Sequence, residues 1–209
     1  LARLYLDALR AADGPGAYRI AAEGLREGMN TPQLYQRVIA PAMHEIGLLW
    51  QQGALTVADE HLATALTNRV LAALRSPPGE EPAADGAAAK RSRGRALLAA
   101  VEGERHTLGL RMAADVLEDV GYESLYLGAD VPTVALLRAV GSLSPDLVGL
   151  AATLPSLAPR LEAVAGEVRR AYPGVGLLVG GQAASPRIGE GTRVQDLELL
   201  TERMARPQV

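Results

Sequence analysis

Only three histidines occur among the 209 residues, and one stands in "GERHTLGL" (Gly103 to Leu110), directly after an apolar run. A neutral imidazole binds a metal through one ring nitrogen while the other donates a hydrogen bond. A carboxylate partner fixes the tautomer and raises ligand basicity. Glu104, two residues before His106, is placed to be that partner. Gly109 leaves room for a bulky group to approach the start of the following helix. A second grouping lies upstream. Trp50 is the single tryptophan of a chain without phenylalanine, and the pair Glu60-His61 follows it by ten and eleven residues. Taken alone, these features also read as a loop histidine, a helix-end anchor and a capping-turn pair.

The elements that must position these residues fall into two segments. Residues 1–75 read as four short-looped helices, a small bundle. Leu1, Leu4, Leu6 and Leu9 begin an apolar stripe that "DGPG" (Asp13 to Gly16) interrupts. Tyr18 to Leu25 continue it in a second helix. Thr31 is the expected N-cap of a third, with Pro32 at the first helical position and the run ending near Trp50. Thr56, with Asp59 three residues later, resembles a capping box that opens the fourth. Residues 76–94 are rich in Pro, Gly and Ala and read as a linker.

From residue 95 to 209, short apolar runs alternate with amphipathic stretches. Strands are expected at Ala96 to Val101, Ser124 to Leu127, Asp146 to Ala152, Val175 to Gly180 and, weakly, at Arg193 and Val194. Helices are expected at 107–120, 133–140, 157–172 and 196–204. The fold class is α/β: an N-terminal four-helix bundle cap followed by a Rossmann-like (flavodoxin-like) parallel sheet of five strands. Glu104, His106 and Gly109 then lie at the carboxyl end of the first strand, the edge where open α/β sheets bind ligands.

The formal net charge of −3 and the scattered basic residues argue against direct nucleic-acid binding by this chain. The one basic cluster, Lys90 to Arg95, reads as a solvated tether. The absence of cysteine excludes disulfides, thiolate metal sites, cysteine nucleophiles and a thioether-linked chromophore, and it fits a cytoplasmic protein. No apolar run reads as membrane-spanning or as a signal peptide. The first residue is Leu rather than Met, which is compatible with an output domain upstream. No nucleophile–base pair points to catalysis, so a non-enzymatic role is expected.

The string "GERHTLGLRMAADVLEDVGYESLYLGADVP" resembles the first half of cobalamin-binding domains, which carry a D-x-H-x-x-G motif. In that family the histidine ligates cobalt from below and displaces the dimethylbenzimidazole tail. "LGADVP" (Leu127 to Pro132) resembles the family's second loop, near the corrin edge, and "LVGG" (Leu178 to Gly181) the glycine pair lining the nucleotide-tail groove. The resemblance implies His106 as lower axial ligand and Glu104 as its partner. It also implies Arg105, Thr107, Gly109, Gly128, Asp130, Val131, Ala151, Thr153, Leu154, Gly180 and Gly181 as cofactor-binding positions. There are two departures. Glu104 replaces the family's Asp, and Ala151 replaces a serine near the end of strand three, leaving Thr153 as the nearest hydroxyl.

"WQQGALTVADEH" (Trp50 to His61) resembles the W-x9-E-H signature in the helical cap of CarH-type light-sensing cobalamin regulators. There the tryptophan covers the 5′-deoxyadenosyl group on the upper corrin face, and the Glu-His pair lines the same cavity. Many of those photoreceptors place a cobalt-binding histidine just after the tryptophan, where this chain has Gln51. His61 is therefore the expected upper-face ligand, with His44 or a retained water above cobalt as the alternatives. The implied cofactor is cobalamin, as adenosylcobalamin. The related photocobilins add a bilin such as biliverdin, which here would bind noncovalently. The implied function is light sensing, with photolysis changing packing or oligomerisation of a homo-oligomer (dimer or higher) and signalling to a protein effector. Two alternatives are a corrinoid carrier for a methyltransferase and a plain flavodoxin-like or receiver domain. The receiver needs an acidic cluster, for which the first strand offers only Glu102 and Glu104.

Overall fold

In a computed structural model, residues 1–76, 93–184, 192–194 and 196–205 are described. The chain divides into two compact units, Leu1–Ala83 and Ala84–Val209. Most of the expected 76–94 linker lies outside the described residues, as does the start of its basic cluster. Arg93 and Arg95, at that cluster's end, belong to the sheet unit. The Arg93 guanidinium donates to the Met204 carbonyl, and the Arg95 amide donates to Asp146 Oδ2 at 2.7 Å.

In the helical unit, α1 (Ala2–Arg10) buries Tyr5, Leu6 and Leu9. Leu4 turns outward at 57% exposure, so Tyr5 takes the place in the stripe that the leucine pattern suggests for it. The stripe breaks before "DGPG" as expected, and the same four residues open the second helix. Asp13 caps α2 (Gly14–Arg26) by accepting the Gly16 amide at 2.8 Å, with Pro15 in the first turn. The third helix is capped by Asn30, one residue before the expected Thr31. Asn30 Oδ1 accepts the Gln33 amide at 3.0 Å, and Gln33 Oε1 accepts the Asn30 amide at 3.1 Å. The physical reason is Gln33: a cap at Thr31 would put Leu34, which cannot accept a bond, at the reciprocal position.

That helix runs as α3 (Thr31–Leu34), a π-helical turn over Tyr35–Ile39 and α4 (Ala40–Gln51). Pro41 explains the wide turn. A proline lacks the N–H for a regular helical bond and its ring clashes with the carbonyl four residues back. The adjacent Ala40 amide reaches back five residues to the Tyr35 carbonyl. Helix α5 (Val57–Arg75) starts at the expected Thr56–Asp59 capping box. Its amide bonds are Thr56 N–H to Asp59 Oδ2 at 2.8 Å and Asp59 N–H to Thr56 Oγ1 at 3.2 Å. The Thr56 hydroxyl, which donates to Asp59 Oδ2 at 2.6 Å, and after it the Thr56 amide hold the Asp59 carboxyl below its ordinary range. Inside the bundle the Tyr5 hydroxyl donates to Thr67 Oγ1 at 3.3 Å, and the Thr67 hydroxyl donates to Met43 Sδ at 3.2 Å.

The second unit is a five-stranded parallel sheet in the order β2-β1-β3-β4-β5. Its strands are β1 (Arg95–Val101), β2 (Glu123–Val131), β3 (Leu147–Ala151), β4 (Gly176–Gly180) and β5 (Thr192–Val194). The helices between and after them are α6 (Leu108–Asp119), α7 (Thr133–Leu143), α8 (Ala158–Ala171) and α9 (Leu197–Ala205), with a short 3-10 turn at Pro155–Leu157. Residues 96–101 and 147–151 are buried throughout, as expected of strands covered on both faces. Leu97, Val148, Leu150 and Val179 pack with Leu136, Val140, Leu161 and Val164 of α7 and α8. The order reverses between β1 and β3, so the carboxyl ends of these neighbours form the crevice of the sheet.

Strand β2 extends four residues past the expected Leu127. Bulges relative to β1 let it continue: Ala99 pairs with Gly128 and Val101 with Val131, so Ala129 and Asp130 sit opposite the single Ala100. Among the described residues no helix is long and apolar enough to cross a membrane.

Candidate functional site

The crevice is organised by Glu104, whose residue exposure is 0%. One carboxylate oxygen, Oε1, accepts the His106 amide at 2.7 Å and His106 Nδ1 at 2.6 Å. The other, Oε2, accepts the Thr153 amide and the Leu154 amide, the latter at 3.4 Å. One side chain thus holds the loops after both β1 and β3. Burial pushes the Glu104 carboxyl up, but the Thr153 and His106 amides and the His106 ring outweigh it and hold it below the ordinary carboxylate range. An ionised carboxylate can only accept, so Nδ1 must donate. In a neutral imidazole so oriented, the lone pair lies on Nε2.

The imidazole side chain is 56% exposed, and Nε2 bonds no described residue. Next to it α6 begins with Thr107 as its N-cap. Nothing lies within 4 Å of where a Cβ on Gly109 would stand. Among the described residues no three His, Asp or Glu side chains converge on a metal cage. Such a histidine suits a metal that brings its own equatorial donors and needs one axial nitrogen. The donor, its oriented tautomer and the open space above Gly109 fit a corrinoid, and the site supplies no competing ligands.

Other expected positions have more specific structural reasons. Arg105 is exposed at the loop tip. The Thr107 carbonyl accepts the Tyr126 hydroxyl at 3.4 Å, a contact the sequence reading did not include. Ala151 lies inside β3 between Ala100 and Gly180. Thr153 contributes its backbone amide rather than the expected hydroxyl, which bonds no described residue. Gly181 is required by the backbone: its φ is +92° and an added Cβ would stand 2.1 Å from the Ala152 carbonyl oxygen. Gly180 carries no such demand, since a Cβ there would make ordinary contact with the Val194 carbonyl at 3.6 Å. Gly128 (φ +82°) and Asp130 (φ +53°) are left-handed residues of the β2 bulge, and Val131 closes the strand opposite Val101.

Apolar residues at this edge also stand open, with Leu127 39%, Leu154 43% and Val134 65% exposed. Leu127 and Val134 were missed as site positions. For Val134, which follows the carboxyl end of β2, the signal was available; Leu127 lies inside that strand, exposed at a bulge between Tyr126 and Gly128.

In the helical unit, Trp50 stands at the end of α4 with 43% of its surface exposed. Ile46, one turn earlier on the same face, is 1% exposed. The core-facing stripe thus runs out into an open indole. Across the short connection, α5 carries Glu60 in its first turn and His61 directly after it. Glu60 Oε2 lies 2.6 Å from His61 Nδ1 and its Oε1 accepts the Thr64 hydroxyl at 2.8 Å. The His61 ring is 74% exposed.

Residues 1–75 match a family model described as "B12 binding domain", and residues 94–196 match a second model with the same description. The chain belongs to the B12-binding domain family. It is similar to the HTH-type transcriptional repressor CarH of Myxococcus xanthus, 34% identical over 153 residues that cover 72% of this chain and 47% of the repressor. It is also similar to Trimethylamine corrinoid protein 1 of Methanosarcina mazei, 24% identical over 148 residues, covering 71% of this chain and 66% of that protein. The chain therefore spans about half the length of the repressor and just under two thirds of the corrinoid protein. Among solved structures, the monomethylamine corrinoid protein of Methanosarcina barkeri superposes with a TM-score of 0.74, at 14% identity, over 96% of this chain and 95% of that one. At that identity the likeness is one of fold. This B12-binding chain thus pairs an N-terminal helical segment with a Rossmann-like B12-binding domain.

Proposed function

We propose that this chain is a non-enzymatic, light-sensing regulatory module that binds adenosylcobalamin. The observation that carries the corrinoid assignment is the His106–Glu104 pair, which turns Nδ1 into the protein and leaves Nε2 to meet a metal. On this reading His106 holds cobalt from below, and Glu104 sets the tautomer and orientation of the ring. Leu127 and Leu154 offer apolar surface to the macrocycle, and Gly180 and Gly181 border the tail groove. In the helical unit the resemblance of Trp50, Glu60 and His61 to the CarH-type cap signature would make the indole a cover for the cofactor and His61 the candidate second ligand. Adenosylcobalamin supplies a light-labile cobalt–carbon bond.

Trp50, 43% exposed in the helical unit, is the residue expected to respond to loss of the adenosyl group. That response repacks the bundle and alters oligomerisation or an effector contact, a local change with a global readout. The regulatory reading is supported by the 34% identity to the CarH repressor and by Trp50, Glu60 and His61. A second reading, a corrinoid carrier for a methyltransferase, is supported by the similarity to Trimethylamine corrinoid protein 1.

The test is to load the full chain with adenosylcobalamin in the dark and record absorption spectra and mass by light scattering before and after green light. We expect a spectral shift with a change of mass, both weakened by Trp50→Ala. An unchanged spectrum sinks the light-sensing reading. Loading with methylcobalamin and transfer of its methyl group to an acceptor enzyme, indifferent to Trp50→Ala, would favour the carrier. Adding biliverdin to the same samples reads out noncovalent bilin binding.

A further inference from the structure

We infer that Asp130 is a positioning residue for His106, holding the histidine loop from the β2 side while Glu104 ties it to the β3 side. This deepens the cobalamin reading and rests on it for its relevance to cobalt. Asp130 has φ +53°, a left-handed conformation that side chains rarely adopt. Such a conformation persists where the surroundings over-determine it. Two hydrogen bonds do so here. Asp130 Oδ1 accepts the Gly103 amide at 2.7 Å, and the Asp130 amide donates to the Glu104 carbonyl at 2.9 Å. The β2 bulge that places Ala129 and Asp130 opposite Ala100 aims this residue at the loop instead of into the ladder.

The consequence runs through Glu104. Its carboxylate can bond both His106 and the Thr153 amide only if its backbone stays where it is. That backbone has two fixed points: the Glu104 amide on the Val101 carbonyl at 2.9 Å, and the Glu104 carbonyl under the Asp130 amide. The Asp130 carboxylate secures the preceding residue, Gly103, itself left-handed at φ +88°. Asp130 therefore acts on the metal site through the loop, with its side chain turned to protein backbone and not held ready for the corrin edge.

The test compares Asp130→Gly with Asp130→Asn in the full chain. Glycine accepts the left-handed backbone without strain but removes the acceptor oxygen; asparagine keeps an acceptor and tolerates the conformation. In the cofactor-free protein, residue-resolved hydrogen exchange should be faster at Gly103 and His106 in Asp130→Gly and near wild type in Asp130→Asn. Titration with aquocobalamin, read as the fraction with the histidine-ligated spectrum, should weaken about three- to tenfold in Asp130→Gly, less than the full worth of a hydrogen bond to a carboxylate because the effect reaches His106 through the loop. Asp130→Asn should stay within about twofold. Unchanged exchange in Asp130→Gly overturns the inference, and so does faster exchange with unchanged histidine ligation. If the wild type shows no histidine-ligated spectrum, the cobalamin reading itself has failed. The exchange comparison then decides alone whether Asp130 holds the loop.

Discussion

Removing the Glu104 carboxylate should loosen the sheet unit even with no cofactor present. Glu104→Ala takes the acceptor from four N–H groups: the His106 amide, His106 Nδ1 and the amides of Thr153 and Leu154. A hydrogen bond to a charged acceptor contributes about 1.5–3 kcal/mol, whereas one that water readily replaces contributes little. Nδ1 belongs to a half-exposed ring and the Leu154 contact is long, so both are assigned to water. The amides of His106 and Thr153 remain, and together they predict a loss of about 3–6 kcal/mol. Against a typical domain stability of about 5–15 kcal/mol, that is a large fraction.

Glu104→Gln keeps one acceptor oxygen but turns an NH2 group toward N–H donors, so about half the loss is expected. The assay is hydrogen exchange of the Leu97–Ala100 and Val148–Leu150 amides in the cofactor-free protein at neutral pH, under conditions where exchange reports the opening free energy. A loss below about 1 kcal/mol in Glu104→Ala would falsify the reasoning, because it would mean that the loops relax and water satisfies their amides.

Gly181→Ala should destabilise the sheet unit by about 2 kcal/mol or more, since it combines a left-handed backbone with a close backbone approach; urea unfolding measures it. The same experiment on Gly180→Ala should show a smaller effect, because a methyl there meets only ordinary contacts. Burial pushes the Tyr5 hydroxyl up to about 12 from its ordinary 10, against a smaller lowering by its bond with Thr67. The folded state thus keeps this proton longer than the unfolded chain does. The related stability is fully present below pH 10 and is lost as pH rises through about 12. The change is about 2–3 kcal/mol. Tyr5→Phe should remove that part of the alkaline loss, as measured by urea unfolding of the bundle at pH 9 and pH 11.5; parallel curves for the two proteins would count against it.

Much of this architecture was written in local pattern. The apolar periods separated a helical segment from an alternating one, and Thr56 with Asp59 announced a helix start that the structure realises bond for bond. The E-x-H spacing placed a carboxylate beside an imidazole because two residues on an irregular loop leave the side chains within reach of each other. Where local pattern misled, a second residue had the deciding vote. Gln33 moved a cap from Thr31 to Asn30, and Tyr5 displaced Leu4 from the buried stripe.

What the sequence determined by itself is therefore the chemistry at hand: one imidazole at a strand end, a carboxylate two residues before it, a tryptophan and a Glu-His pair far upstream. Only the tertiary structure decided how that chemistry is held. Glu104 reaches amides 49 and 50 residues away, and Asp130 reaches back 27 residues to Gly103. These bonds exist because parallel pairing brings the ends of β2, β1 and β3 to one edge. The amides involved are backbone groups that every residue but proline carries, so no side-chain pattern could single them out. Their selection comes from strand order and from a bulge, which are properties of the assembled sheet.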